Sequence, residues 1–228
     1  MSVPIQRIYL AEPHPDRVGD AFYPRWRRHA ELAQGLPLWA ALSDYKQLVT
    51  LPAPAGSDLA EAGCSDDFAG VCMSRIDDPD ELERLKSSDS SVVILTDELE
   101  VFARPVVELA INSHIEVLKD GPWDGALLMV FFGKAAGIGQ GEFTDAWRQA
   151  AHNLLERDDL GVGRLILYGG LEEEPKSKLN LVLELGFADE AALVAALRSG
   201  AIDGPAIAVT AEALRLAVDP SPVYEVPD

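Results

Sequence analysis

The chain has 228 residues, 48% hydrophobic and 25% charged, with 19 basic and 38 acidic side chains for a formal net charge of −19. A chain this long can bury a sizeable core without disulfides or metals, and this charge argues against nucleic acid and anionic membrane surfaces, which both select for Lys and Arg. No apolar run approaches the ~20 residues of a spanning helix, and Met1 to Arg7 lack the basic-then-apolar order of a signal peptide, so a cytoplasmic location is expected.

In chain order, residues 5–10 have strand composition and 12–16 form a loop. Asp20 and Pro24 suit a helix start, and Gly35 ends that helix after Gln34. Phe22, Trp26, His29 and Ala33 recur at helical spacing and share one face. Residues 41–51 and 68–76 read as strands around a Pro/Gly/Asp-rich loop. A short helix covers 78–85, a helical turn starts at Thr96, and 105–115 reads as a strand. Cys64 and Cys72 match no zinc spacing and read as reduced thiols, Cys72 within a strand.

Residues 119–122 make a linker, and 123–132 form an apolar strand. The helix 142–156 follows, then strands at 164–169 and 179–186 around a charged tip, Glu172 to Lys178. Helices are expected at 189–197 and 210–217, and a last strand at 223–226. Phe143 and Trp147 repeat Phe22 and Trp26 at a separation of 121 residues. Both halves read β-α-β-β-α-β, the split βαβ unit of ferredoxin-like folds. The expected fold is therefore α+β: two tandem ferredoxin-like units, 1–118 and 123–228, facing each other as a fused pseudo-dimeric α/β barrel.

The Phe22, Trp26, His29-Ala30 pattern at the first helix of such a unit resembles the EthD-like family of the dimeric α/β-barrel superfamily. The resemblance implies a small pocket between sheet and helices and a hydrophobic aromatic or polyketide-like substrate. It also implies an activity among cofactor-free monooxygenases, dehydratases, cyclases and haem proteins. Ala150 stands in the second half where His29 stands in the first, which places a single active pocket in the first half.

Candidate chemistry starts with His29, an imidazole able to act as acid or base near neutral pH. Strand alternation puts Glu108, Asn112 and His114 on one face, expected to line the space between the sheets, with Val107, Leu109 and Ile111 against the helices. Glu108 or His114 would be the acid/base counterpart of His29. Tyr9 and Trp26 would wall the pocket, and Arg7, Arg75 and Asn112 would bind substrate oxygens. The Gly137, Gly139, Gly141 loop fails as a dinucleotide fingerprint, because Glu142 stands where the third glycine belongs. Four histidines without an i, i+4 pair make no metal site. No cofactor is expected, and haem, which needs only one histidine, is disfavoured.

The sequence thus leans toward an enzyme moving protons on a small hydrophobic compound, of dehydratase, cyclase or isomerase type. A cofactor-free monooxygenase and a non-catalytic ligand-binding protein are the alternatives. A homodimer of the fused unit is compatible with all three.

Overall fold

The stretch Ala126-Leu-Leu-Met-Val-Phe-Phe-Gly-Lys134 is apolar on both faces. A strand of that kind needs cover on both sides. A computed structural model, describing residues 3–86, 89–122, 124–171, 177–222 and 224–225, provides it. The strands are β1 (Ile5–Ala11), β2 (Leu42–Val49), β3 (Gly70–Ile76), β4 (Ala110–Lys119), β5 (Ala126–Lys134), β6 (Arg164–Gly170), β7 (Leu181–Phe187), β8 (Thr210–Val218) and β9 (Tyr224–Glu225). The helices are α1 (Phe22–Gln34), α2 (Asp58–Glu61), α3 (Pro79–Lys86), α4 (Asp89–Val101), α5 (Gln140–Leu155) and α6 (Glu190–Arg198).

All nine strands join one antiparallel sheet in the order β8-β5-β7-β6-β4-β1-β3-β2-β9. Within it, β4-β1-β3-β2 and β8-β5-β7-β6 repeat one arrangement: fourth, first, third, second in chain order. The halves meet along β4 and β6, from Ser113↔Gly170 to Lys119↔Leu165. On the far side Thr50 bridges Val218. There Leu51 N–H donates to Ala217 O at 2.7 Å and Asp219 N–H to Val49 O at 2.9 Å. The sheet therefore closes into a barrel.

Closure gives every strand an inside and an outside, and alternation assigns the side chains. Inside lie Ile8, Leu10, Leu48, Met73, Ile111, Leu127, Met129, Phe131, Ile166, Val182, Leu216 and Val218, all buried. Fully burying each such side chain contributes roughly 1.5–3 kcal/mol. Outside, α5 and α6 cover the second half with Phe143, Trp147, Leu193 and Leu197. The first half is covered by Phe22, Trp26 and Ala30 of α1 with Val101 of α4. The two tryptophans rest on different partners. Trp147 stacks on Phe132 with ring centroids 3.8 Å apart. Trp26 lies over Gly70, where a Cβ would come within 2.8 Å of its ring and 2.3 Å of Leu48 O.

Several expectations are corrected. Residues 210–217, expected as helix, lie in β8, because Leu214, Leu216 and Val218 alternate into the barrel while the strand pairs with β5. Tertiary pairing overrides the helical propensity of Ala, Glu, Leu and Arg there. The strand expected from 105 begins only at Ala110, since Val106–Glu108 turn as a 3-10 helix after Pro105. The helical turn at Thr96 is part of the 13-residue α4. The last strand is the two-residue β9, laid on β2 rather than serving as a fourth strand. Trp123, Val223, Val226 and residues 172–176 of the charged tip lie outside the described residues.

Candidate active site at the barrel mouth

The outer layer of the first half gathers five of the expected residues. Trp26 Nε1 donates to Tyr9 OH at 3.2 Å, and Arg7 Nη1 to Asn112 Oδ1 at 3.2 Å. Phe102 presents its ring to Tyr9 and His29 at centroid distances of 5.8 and 5.5 Å. Gln47 Nε2 donates to Tyr45 OH and to Trp26 O, both at 3.1 Å. Burial pushes the Tyr9 and Tyr45 phenols well above their usual range and the Cys72 thiol up to about 12, so all three stay protonated. This is a satisfied, tightly packed layer, with one exception: Gln47 Oε1 is buried without a partner among the described residues.

His29 belongs to the edge of that layer. Its Nδ1 donates to Asp97 Oδ2 at 2.7 Å, and Arg25 Nη1 donates to the same carboxylate oxygen at 3.0 Å. Burial pushes the Asp97 carboxyl up, but the hydrogen bonds from Arg25 and His29 prevail and hold it below the usual carboxylate range. Burial lowers the His29 pKa; Asp97 opposes this and Arg25 adds to it. The folded state therefore favours the neutral ring. As pH falls below about 6.5, the unfolded chain takes up a proton that the folded chain resists, and stability falls. Urea midpoints from about pH 7.5 to about pH 5 should fall more steeply in the wild type than in His29→Gln. Parallel profiles would mean that the ring does not titrate differently on folding.

The face assignment of β4 is inverted relative to expectation. Ile111 points into the barrel, and Asn112 and His114 point outward. Most of the barrel interior is apolar, and Ile111 joins it, so the Asn112 and His114 face turns to the helix side. His114 stands exposed in an outer cleft of about 460 Å³ between β4, β6 and α5. Arg148 in that cleft is bound to Glu116 at 2.7 Å and also to Asp145. Arg75 lies exposed at a strand end, paired with Asp77 at 3.0 Å.

Glu108 alone of the expected residues reaches the space enclosed by the barrel. One barrel end opens into a cavity of about 960 Å³. Leu10, Leu109, Phe131, Leu179 and Leu214 floor it, and Phe68 walls it. Its rim carries Arg104 and Glu108 from the first half and Lys178 and Glu212 from the second. The expected pairing of His29 or His114 with Glu108 is thus corrected: the three line no common cavity, because the sheet lies between the mouth and both imidazoles.

Sequence reasoning missed Arg104, Lys178 and Glu212: Lys178 reads as part of the charged tip, Glu212 falls in the helix expected over 210–217, and nothing local singles out Arg104. It also missed Glu184, fully buried on β7 inside the barrel. Arg164 Nε and Tyr168 OH each donate to its carboxylate at 2.6 Å. The available signal was one acidic residue within the apolar run Leu181-Val-Leu-Glu-Leu185.

No family model and no curated protein matches the chain. Solved structures do. A proposed monooxygenase of Fusobacterium nucleatum superposes with a TM-score of 0.57 at 9% identity, covering 98% of this chain and 94% of that one. An anthrone oxidase-like protein gives 0.60 at 13% identity, covering 98% and 92%. Chlorite dismutase of Candidatus Nitrospira defluvii gives 0.50 at 9% identity, covering 94% and 90%.

The last similarity corrects the expectation of no cofactor: chlorite dismutases are haem proteins, so the fold is one that houses haem. His29 is held by Asp97, His14 accepts a hydrogen bond from Asp16 N–H in a surface turn, and His152 is exposed. His114 opens on a cleft whose arginine is already held by two carboxylates. The layer beneath α5 is filled by Phe132 on Trp147. The mouth cavity has no histidine, cysteine, tyrosine or methionine in its wall to serve as an axial ligand. What the similarities show is the fold, the ferredoxin-like dimeric α/β barrel.

Proposed function

We propose that the protein is an enzyme that admits a small, largely apolar ring compound to the barrel mouth and removes a proton from it with Glu108. The observation that carries this reading is the cavity itself: an apolar floor of five side chains beneath a rim with two carboxylates and two cations. Such a site desolvates a ring while leaving acid–base groups at its edge. The reaction class is proton transfer, as in a dehydratase, cyclase or isomerase. Monooxygenase chemistry is the second reading, favoured by the proposed monooxygenase and the anthrone oxidase-like protein that share the fold. In this reading the chain is two duplicated units, 1–118 and 123–228, related to the EthD-like family. The repeated Phe and Trp of α1 and α5 support that descent. His29, bound to Asp97 outside the barrel, is then structural.

The test is deuterium exchange. Anthrone and smaller ring ketones with an acidic CH2 group should exchange that hydrogen in D2O faster with the protein than with buffer, followed by NMR. An oxygen electrode run in parallel separates the two chemistries, since only monooxygenation consumes dioxygen. Exchange at the buffer rate for the whole panel, with no oxygen uptake, would remove the proposal.

A further inference from the structure

We infer that Lys178 holds an anionic oxygen of the substrate at the barrel mouth, so that the preferred substrates are apolar ring compounds carrying a carboxylate, phenolate or enolate oxygen. This rests on the mouth being the substrate site.

The geometry sets the two cations of the rim apart. Arg104 is bound to Glu12, Nη2 to Oε1 at 3.0 Å. Lys178 has no ion-pair partner among the described residues. Elsewhere Arg164, Arg198 and Arg215 are each paired with carboxylates. In a chain of net charge −19 the surrounding field repels anions. An anionic ligand therefore needs a local cation not already neutralised, and Lys178, in the lining of the mouth cavity, is the candidate.

The backbone fixes where that charge sits. Leu179, the next residue, is buried in the floor. The carbonyl of Lys178 packs against Gly133 of β5, where a Cβ would stand 2.9 Å from that oxygen and 2.8 Å from Glu212 Cγ. Gly133 thus lets the Lys178 segment and β8 close on the same rim. The ammonium is carried on a four-carbon stem whose backbone end is anchored in the cavity lining, long enough to serve an oxygen bound at the mouth.

The chemistry uses the same arrangement. When Glu108 takes a proton from carbon next to a carbonyl, the C–H bond breaks and its electron pair forms the C=C bond of an enolate. The proton passes to the Glu108 carboxylate and the negative charge to the substrate oxygen. No electron leaves the pair of molecules. The developing charge needs a cation or hydrogen-bond donor aimed at it. Lys178, which lines the same cavity as Glu108 but comes from the other half of the chain, is suited to that role.

The test uses two probes of similar apolar body: anilinonaphthalenesulfonate, which is anionic, and phenylnaphthylamine, which is neutral. Fluorescence titration of the wild type should give at least about tenfold tighter binding of the sulfonate, weakening with salt. Lys178→Gln should abolish that difference and leave the neutral probe bound, while Lys178→Arg should retain it. Leu214→Trp, which fills the floor, should displace both probes; if circular dichroism shows that variant unfolded, Phe68→Trp replaces it. Sulfonate binding that is lost in the filled variant but unchanged in Lys178→Gln overturns the role of Lys178 and leaves the mouth as a ligand site. Binding of both probes that survives filling overturns the mouth reading, and this inference with it.

Discussion

Glu108→Gln should slow turnover about 10²–10⁴-fold, the range for loss of a general base, with little change in KM. Glutamine keeps the shape and hydrogen-bonding reach of the side chain but cannot accept a substrate proton. The side chain is exposed at the cavity rim on a short 3-10 turn. Its loss as a base leaves the core untouched, so thermal stability should be unchanged within about 0.5 kcal/mol. That separation makes the measurement decisive. A fall in kcat without a fall in melting temperature identifies a residue acting on the reaction. Because the panel reports both exchange and oxygen uptake, the variant also shows whether both begin with the same proton. If Glu108→Gln retains wild-type kcat, the base is another group and the proposed chemistry at the mouth is wrong.

Glu184→Ala should cost about 3–5 kcal/mol of folding stability, the range for stranding one partner of a buried ion pair. The carboxylate has no solvent contact and accepts from both Arg164 and Tyr168. Its removal leaves a guanidinium and a phenol facing an apolar interior. Arg164 does retain Asp120 and the Gly121 carbonyl, each at 3.0 Å. The loss should therefore fall near the lower end of that range. Replacing both charged partners with leucine should recover much of the stability, because the penalty comes from the unpaired charge rather than from the missing attraction. Urea denaturation of the single and double variants measures this directly. A single variant within about 1 kcal/mol of wild type would show that water or a neighbouring group reaches Arg164 inside the barrel.

The elements that could be read from sequence are those whose local pattern and tertiary surroundings agree. β5 is apolar throughout, and α1 has Phe22, Trp26 and Ala33 on one stripe with Gly35 after it. In β8 the two levels disagree. Ala, Glu, Leu and Arg favour a helix over 210–217, and only pairing with β5 and closure against Thr50 make the segment a strand. The face of β4 was misread for a related reason. Asn112 and Ile111 alternate as expected, but alternation does not say which face looks into a closed barrel. Glu108, which lines the mouth cavity, stands out in the sequence because a carboxylate among Val107, Leu109 and Ile111 is conspicuous. Lys178 and Glu212 do not, since charges in a tip or an expected helix are ordinary and their meeting over Gly133 depends on β7 and β8 flanking β5. Phe22 and Trp26 of the first-helix pattern follow from helical spacing alone and are fully buried. His29 in the same motif turned toward Asp97 of α4, a partner 68 residues away that no local spacing announces.

The Thr50–Val218 bridge has a consequence for how this protein meets other chains. An open sheet ends in two rows of unpaired backbone groups, and each row is a template on which a foreign strand can grow. Here the row on β8 and the end of β2 are turned toward each other. Part of what remains of β2 is capped by β9, whose Glu225 is bound to Lys46. The seam at Val49–Leu51 and Ala217–Asp219, with β9 on Lys46 and Gln47, thus covers part of both edges that an open sheet would leave as templates.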